Sequence, residues 1–133
     1  MITRIYNLKN NAITIKELNY SFILPIPFVK KFHNLLRLLL KDNSVIIISK
    51  DDFKKNSAHL LLLLSSKKSG LKGLILLLKF YENNCKQLGF ENIEATVVNN
   101  RISSKIMIKN NWTFVSNHWY FGKNYLKTIN YVN

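Results

Sequence analysis

Apolar and polar residues alternate with period two along ITRIYNL (2–8) and again along AITIKEL (12–18). That spacing sends successive side chains to opposite faces and predicts two strands joined by a turn at Asn10-Asn11. Pro25 and Pro27 then stop any strand and suit a helix start, where a missing N–H costs nothing. From Phe28 the positions Phe28, Phe32, Leu35, Leu36 and Leu39 keep helical spacing, with Lys30, Lys31, Asn34 and Arg37 on other faces. SVIIISK (44–50) is short and β-branched, which predicts a buried strand.

The run AHLLLLLSS (58–66) is ambiguous, because leucine prefers helices. Its brevity and flanking turn residues favour a strand buried on both faces. Over Leu74 to Leu88 a stripe of Leu77, Leu78, Tyr81, Cys85 and Leu88 predicts a helix, stopped by Gly89 in a left-handed conformation with Phe90 behind it. NIEATVVN (92–99) sets Ile93, Ala95 and Val97 against Glu94, Thr96 and Val98, which is a strand. Asn99 or Asn100 caps a further helix over 101–110, and WTFVSNHWYFGK predicts two short strands around Ser116-Asn117. The order β β α β β α β α β β describes an α/β chain, an α+β mixed sheet partly parallel at its centre and flanked by helices. No Pro/Gly/Ser-rich linker or repeat divides residues 1–133, so a single domain is expected.

Composition narrows the function classes. With 47% apolar and 12% aromatic residues the chain is globular, and no apolar run approaches the ~20 residues of a membrane span. The start, MITRIYNLKNN, lacks the apolar core of a signal peptide, and Cys85 is the only cysteine, so a reducing cytoplasm is the expected location. The net charge of +13 attracts polyanions such as RNA, DNA or the phosphates of a cofactor. Of the 20 basic residues 17 are Lys, and Asn occurs 18 times, a bias that A/T-rich codons also produce. A dedicated nucleic-acid reader would use more Arg, whose planar fork matches phosphates and base edges.

KKSGLKG (67–73) lies between the leucine strand and the following helix. Ser69, Gly70, Leu71, Lys72 and Gly73 place several N–H groups at a helix N-terminus, where the dipole favours an anion, and Lys67, Lys68 and Lys72 add charge. Neither the P-loop pattern nor the dinucleotide fingerprint is present, and a plain strand-to-helix turn is the alternative reading. His59 and Glu94 are the titratable residues on the two central strands, and period-two alternation puts His59 on one face with Leu61 and Leu63. A structural histidine and a solvated glutamate are the alternatives. His33 and His118 read as structural, and three scattered histidines with one cysteine make no metal site.

The segment from Gly73 to Val115 resembles the second half of the GNAT superfamily, the GCN5-related N-acetyltransferases; with the strand before it, the resemblance covers about residues 58–121. That family has a basic Gly-rich loop, R/Q-x-x-G-x-G/A, here with Lys68 in the place of the Arg/Gln and Gly73 matching the last glycine. Its helix ends in K-x-L-G-[FY], matched by Lys86 to Phe90, and a strand like I-x-L-x-V follows at Ile93 to Val97. The N-x-x-A-x-x-x-Y-x-x-x-G-F helix is matched by Asn100 through Trp112, with Ser103 for Ala, Met107 for Tyr and Asn111 for Gly.

The resemblance implies acyl transfer from acetyl-CoA, or another acyl-CoA, to an amine. It implies that Leu63, Leu64 and Ser65 pair with the pantetheine arm, with Leu63 and Val97 lining its slot. Lys68, Ser69, Gly70, Leu71, Lys72 and Gly73 would hold the diphosphate, with Asn100 and Ser103 near the cofactor. The base would be His59 or Glu94. Met107 replaces the usual proton donor and has no proton to give, which leaves Tyr81, Tyr120 or water. The acceptor would be an amine on a small molecule, a protein or an aminoacyl-RNA; no membrane partner is expected, and a homodimer is compatible. Two other readings stay open: a degenerate member of the fold that binds CoA without turnover, and a basic RNA- or DNA-binding module. The latter would use the lysines with Trp112, Trp119, Tyr120, Phe121 and Tyr125, for which core aromatics at a sheet edge are the favoured alternative.

Overall fold

A computed structural model describes residues 2–18, 44–65, 70–98, 101–118 and 122–129. The strands are β1 (Ile2–Lys9), β2 (Ala12–Leu18), β3 (Val45–Asp52), β4 (Ser57–Ser65), β5 (Asn92–Val98), β6 (Thr113–His118) and β7 (Gly122–Thr128). The helices are α1 (Gly70–Gln87) and α2 (Arg101–Lys109). One seven-stranded sheet runs in the order β2-β1-β3-β4-β5-β7-β6. Among the described strands only β4 and β5 pair in parallel; every other neighbouring pair is antiparallel.

The local signals act as their chemistry requires. Asn10 and Asn11 take φ of 51° and 62°, the left-handed pair that joins β1 to β2 in a tight hairpin. Gly89, at φ 86°, ends α1, and Asn111, at φ 66°, ends the turn after α2. The leucine run is a strand, and β3 beside it is buried along its first five residues, as its unbroken β-branched sequence requires. Both helices lie on one face of the sheet, over a core that joins Tyr6, Ile47 and Leu60 to Leu77, Tyr81 and Met107. Burying each such side chain contributes about 1.5–3 kcal/mol.

Three expectations are corrected. Helix α1 begins at Gly70, so residues 70–73 form its first turn and not a loop before it. Leu88 lies in the turn beyond the helix and is 37% exposed, so the core stripe ends at Cys85. The last hairpin does not turn at Ser116-Asn117: both lie inside β6, paired with Asn124 and Lys123. β6 is an edge strand exposed from Thr113 to Asn117, so polar residues do not end it. The helix expected from Phe28, with Pro25, Pro27 and His33, lies outside the described residues.

Two polar clusters tie the layers. Beneath α1, Arg4 Nη1 donates to Asp51 Oδ2 at 2.6 Å, and Arg4 Nε to Glu17 Oε1 at 3.1 Å. Ser49 Oγ donates to Asp51 Oδ1 at 3.0 Å and lies 2.7 Å from the Tyr81 hydroxyl. At the other end of the core, Glu82 of α1 accepts from Trp112 Nε1 at 2.7 Å and from Lys127 Nζ at 2.8 Å. Lys127 Nζ also donates to the Asn110 carbonyl at 2.7 Å, so α1, the end of α2 and β7 are joined through one carboxylate.

Candidate functional site

Strands β4 and β5 stay together only from Ser57↔Asn92 to Leu60↔Ala95. Beyond that rung β4 remains paired with β3 as far as Ser65↔Val45, while β5 remains paired with β7 as far as Val98↔Gly122. The two strands therefore part, leaving a slot between Leu61–Ser65 and Thr96–Val98 in which neither strand's facing edge pairs with the other. A bulge marks the parting: Ser49 pairs with Leu60 and Ile48 with Leu62, so Leu61 has no residue opposite it.

The bulge overturns one expectation. Strict alternation would keep His59, Leu61 and Leu63 on one face, but the extra residue resets the register. Leu63 now pairs with Ile47 and packs against the core beneath the helices, while His59 stays on the other face.

Both helices start just past the diverging strand ends, α1 after β4 and α2 after β5. The first four N–H groups of a helix have no intrahelical acceptor, and the dipole makes that end positive. Neither helix has an acidic residue in its first turn; α1 carries exposed Lys72 there, and α2 opens on Arg101. A cation at a helix N-terminus is unfavourable by roughly 0.3–1 kcal/mol, a cost that a bound anion would offset. In open α/β sheets ligands bind beyond the C-terminal ends of strands where neighbours diverge, and here the diverging pair is β4 and β5.

The structure brings together the two residues nominated singly as bases. His59 and Glu94 sit opposite each other on the rung before the last one, with Nδ1 and Oε2 3.7 Å apart. Their side chains are 37% and 57% exposed, on the face away from Ala58, Leu60 and Ala95. His59 Nε2 lies 3.2 Å from Thr96 Oγ1, which donates to Asn124 Oδ1 at 2.9 Å. Asn124 Nδ2 in turn donates to Ser116 Oγ at 3.1 Å. Sequence reading missed Thr96, Asn124 and Ser116. The available signal was that Thr96 shares a strand face with Glu94.

Among the other expected site residues, Leu63 is half-buried at the slot, and Leu64 and Ser65 pair through their backbones with Ile46 and Val45. Gly70, Leu71, Lys72 and Gly73 make the first turn of α1, and Ser103 lies in the first turn of α2. Lys68, Ser69, Asn100 and Tyr120 lie outside the described residues. Tyr81 is excluded as a proton donor to the slot: it is fully buried on the inner face of α1, bound to Ser49, and burial pushes its hydroxyl well above the usual phenol range. Met107 is buried in the same core. Burial also pushes the Cys85 thiol up to about 12, so it is no nucleophile in the folded protein.

Trp112 and Tyr125 are only 2% and 3% exposed, core aromatics and not a platform for nucleic acid, and Lys127 is engaged by Glu82. Trp119 and Phe121 lie outside the described residues. Among the described residues no three His, Cys, Asp or Glu side chains gather to hold a metal, and no helix is long and apolar enough to cross a membrane.

No family model and no curated protein matches the chain in sequence. Solved structures do match in fold. An acetyltransferase from Thermus thermophilus aligns with TM-score 0.55 at 15% identity, over 63% of this chain and 55% of its own. The ribosomal-protein alanine N-acetyltransferase of Escherichia coli gives 0.56 at 9% identity, over 67% and 63%. The PaiA N-acetyltransferase of Thermoplasma acidophilum, in complex with coenzyme A, gives 0.56 at 16% identity, over 80% of both chains. The match thus spans less than two thirds of the Thermus and Escherichia proteins. With its mixed seven-stranded sheet parting between β4 and β5, the protein has the fold of the GNAT acetyltransferases.

Proposed function

We propose that the protein is an N-acyltransferase that moves an acyl group, acetyl in the first instance, from acyl-CoA to an amine. The observation that carries this reading is the slot between β4 and β5, with each of the two strands followed in the chain by a helix. Coenzyme A bound to the PaiA protein of the same fold supports it. The unpaired edge of Leu63 to Ser65 suits the pantetheine amides, as a sheet edge takes an added strand. The amides of Gly70, Leu71, Lys72 and Gly73, with Lys68 and Ser69, suit the diphosphate, and Asn100 and Ser103 belong beside the arm.

When bound, the cofactor supplies the activated acyl carbon. The strand rise of ~3.3 Å per residue puts the Leu60 rung about 17 Å from Ser65, at the closed end of the slot. His59 and Glu94 stand at that end, on the face from which an acceptor would arrive. There His59 takes the amine proton as the new N–C bond forms and the C–S bond breaks. Tyr120 or water would supply the proton that the leaving thiolate needs, since Met107 has none to give.

The acceptor is an amine, as the name of the Escherichia coli neighbour states for that protein. The +13 charge favours an acceptor that is itself acidic or carried on nucleic acid. A cytoplasmic setting fits the single buried thiol. The test is thermal unfolding with acetyl-CoA, followed by product analysis over a panel of amines. Ligand at ~100 times its dissociation constant should add ~2.7 kcal/mol of stability, and acylated product should form. Stabilisation without product would make the protein a CoA-binding member without turnover. No stabilisation at millimolar acetyl-CoA, with salt-sensitive RNA binding, would favour the nucleic-acid module.

A further inference from the structure

We propose that Thr96 and Asn124 are positioning residues that fix the tautomer of His59, holding the proton on Nε2 and making Nδ1 the nitrogen that accepts the substrate proton. The orientation of the Asn124 amide sets this choice, passed along a chain of side-chain hydrogen bonds on four strands. Asn124 Nδ2 can only donate, and it donates to Ser116 Oγ at 3.1 Å. The amide therefore turns its carbonyl to Thr96, and a carbonyl can only accept. Thr96 spends its single hydroxyl proton on that carbonyl at 2.9 Å. What Thr96 Oγ1 offers His59 at 3.2 Å is then a lone pair, and Nε2 must carry the hydrogen.

The consequence falls on the other nitrogen. Nδ1, bare in this tautomer, faces Glu94 Oε2 at 3.7 Å, so the carboxylate draws a proton to Nδ1 in opposition to the Asn124–Thr96 chain and holds it there once gained. The ring need not turn between its two states, because Nε2–H stays on Thr96 in both. Glu94 on β5 and Lys50, the cross-strand partner of His59 on β3, stand beside His59 with opposite charges. The β7 side presents only the neutral amide of Asn124. Reversing that amide would reverse the whole chain and move the proton to Nδ1, so one side-chain orientation decides which nitrogen is the base. The kinetic meaning of this assignment rests on the acyl-transfer reading; the tautomer does not.

The test uses the full chain with 15N-labelled histidine, with His59 assigned by comparison with His59→Gln. The expected spectrum of neutral His59 has a protonated-type nitrogen at Nε2 and a pyridine-type nitrogen at Nδ1, without cofactor or turnover. Thr96→Val should release a tautomer mixture, Thr96→Ser should restore the single form, and Asn124→Asp should keep it, because a carboxylate still accepts the Thr96 proton. In acyl transfer Thr96→Val should lower kcat about tenfold, a part of the 10²–10⁴ that a positioned base contributes, with KM for acetyl-CoA nearly unchanged. A proton found on Nδ1 in the unaltered protein, or a Thr96→Val spectrum identical to it, overturns the assignment. A correct tautomer with kcat unchanged in Thr96→Val overturns the positioning role. Absence of any acyl transfer by the unaltered protein would instead defeat the acyltransferase reading, and the tautomer measured by NMR would stand apart from it.

Discussion

Replacing Arg4 with alanine is expected to lower the unfolding free energy by about 3–5 kcal/mol, the cost of leaving a buried charge unpaired. Arg4 is 4% exposed and its partner Asp51 is fully buried, joined at 2.6 Å. Burial already pushes the Asp51 carboxyl above its usual range, against the downward pull of Arg4 and Ser49. Without the guanidinium it moves higher still. The sign of the pH dependence follows. A carboxyl whose folded value is raised holds its proton in the native state when the unfolded chain has released it, so stability falls as pH rises through that window. Arg4→Ala should therefore lose most at neutral pH and recover towards acid. Changing both partners, Arg4→Met with Asp51→Leu, should restore much of the loss, because an apolar pair of similar volume leaves no orphan charge. Urea unfolding at pH 7 and pH 5 measures all three; a loss under 1 kcal/mol for Arg4→Ala at pH 7 would show that the pair is not a structural tie.

Gly73→Leu is expected to separate fold from function. Gly73 lies in the first turn of α1 and lines an open groove of about 510 Å³ between that helix and the β1–β2 hairpin. Glycine within a helix costs roughly 0.8–1.0 kcal/mol relative to alanine, so the unliganded variant should melt no lower than the original protein. A side chain there obstructs close approach of a diphosphate to the helix amides. The ~2.7 kcal/mol contributed by acetyl-CoA at ~100 times its dissociation constant should disappear. A Gly73→Leu variant that melts normally and is still stabilised in full would move the phosphate site elsewhere.

How far the molecule can be read from its residues depends on whether each signal is local. Alternation places β1, β2 and β5, an unbroken β-branched run places β3, and left-handed conformations appear at Asn10, Asn11, Gly89 and Asn111, where the turn chemistry asks for them. His59 and Glu94 are each legible as candidates, but their adjacency depends on the register of a parallel pair 35 residues apart in sequence, which no local pattern encodes. The bulge at Leu61 is invisible for a simpler reason: five identical leucines carry no mark of which one is extra. The start of α1 reads too late because two glycines suggest a loop, whereas the helix takes them into its first turn. Thr96 and Asn124 carry no motif; hydrogen bonds across the neighbouring strands give them their roles.

The proposed acyl transfer depends above all on the main-chain amides at the start of α1 binding the diphosphate of an acyl-CoA. Backbone amide spectra recorded during titration with coenzyme A address that binding without any need for turnover. The amides of Gly70, Leu71, Lys72 and Gly73 are expected to shift together and saturate with a single dissociation constant, and Gly73→Leu should abolish the shifts. Saturable binding that leaves those four amides unmoved, or no binding at millimolar coenzyme A, would contradict it.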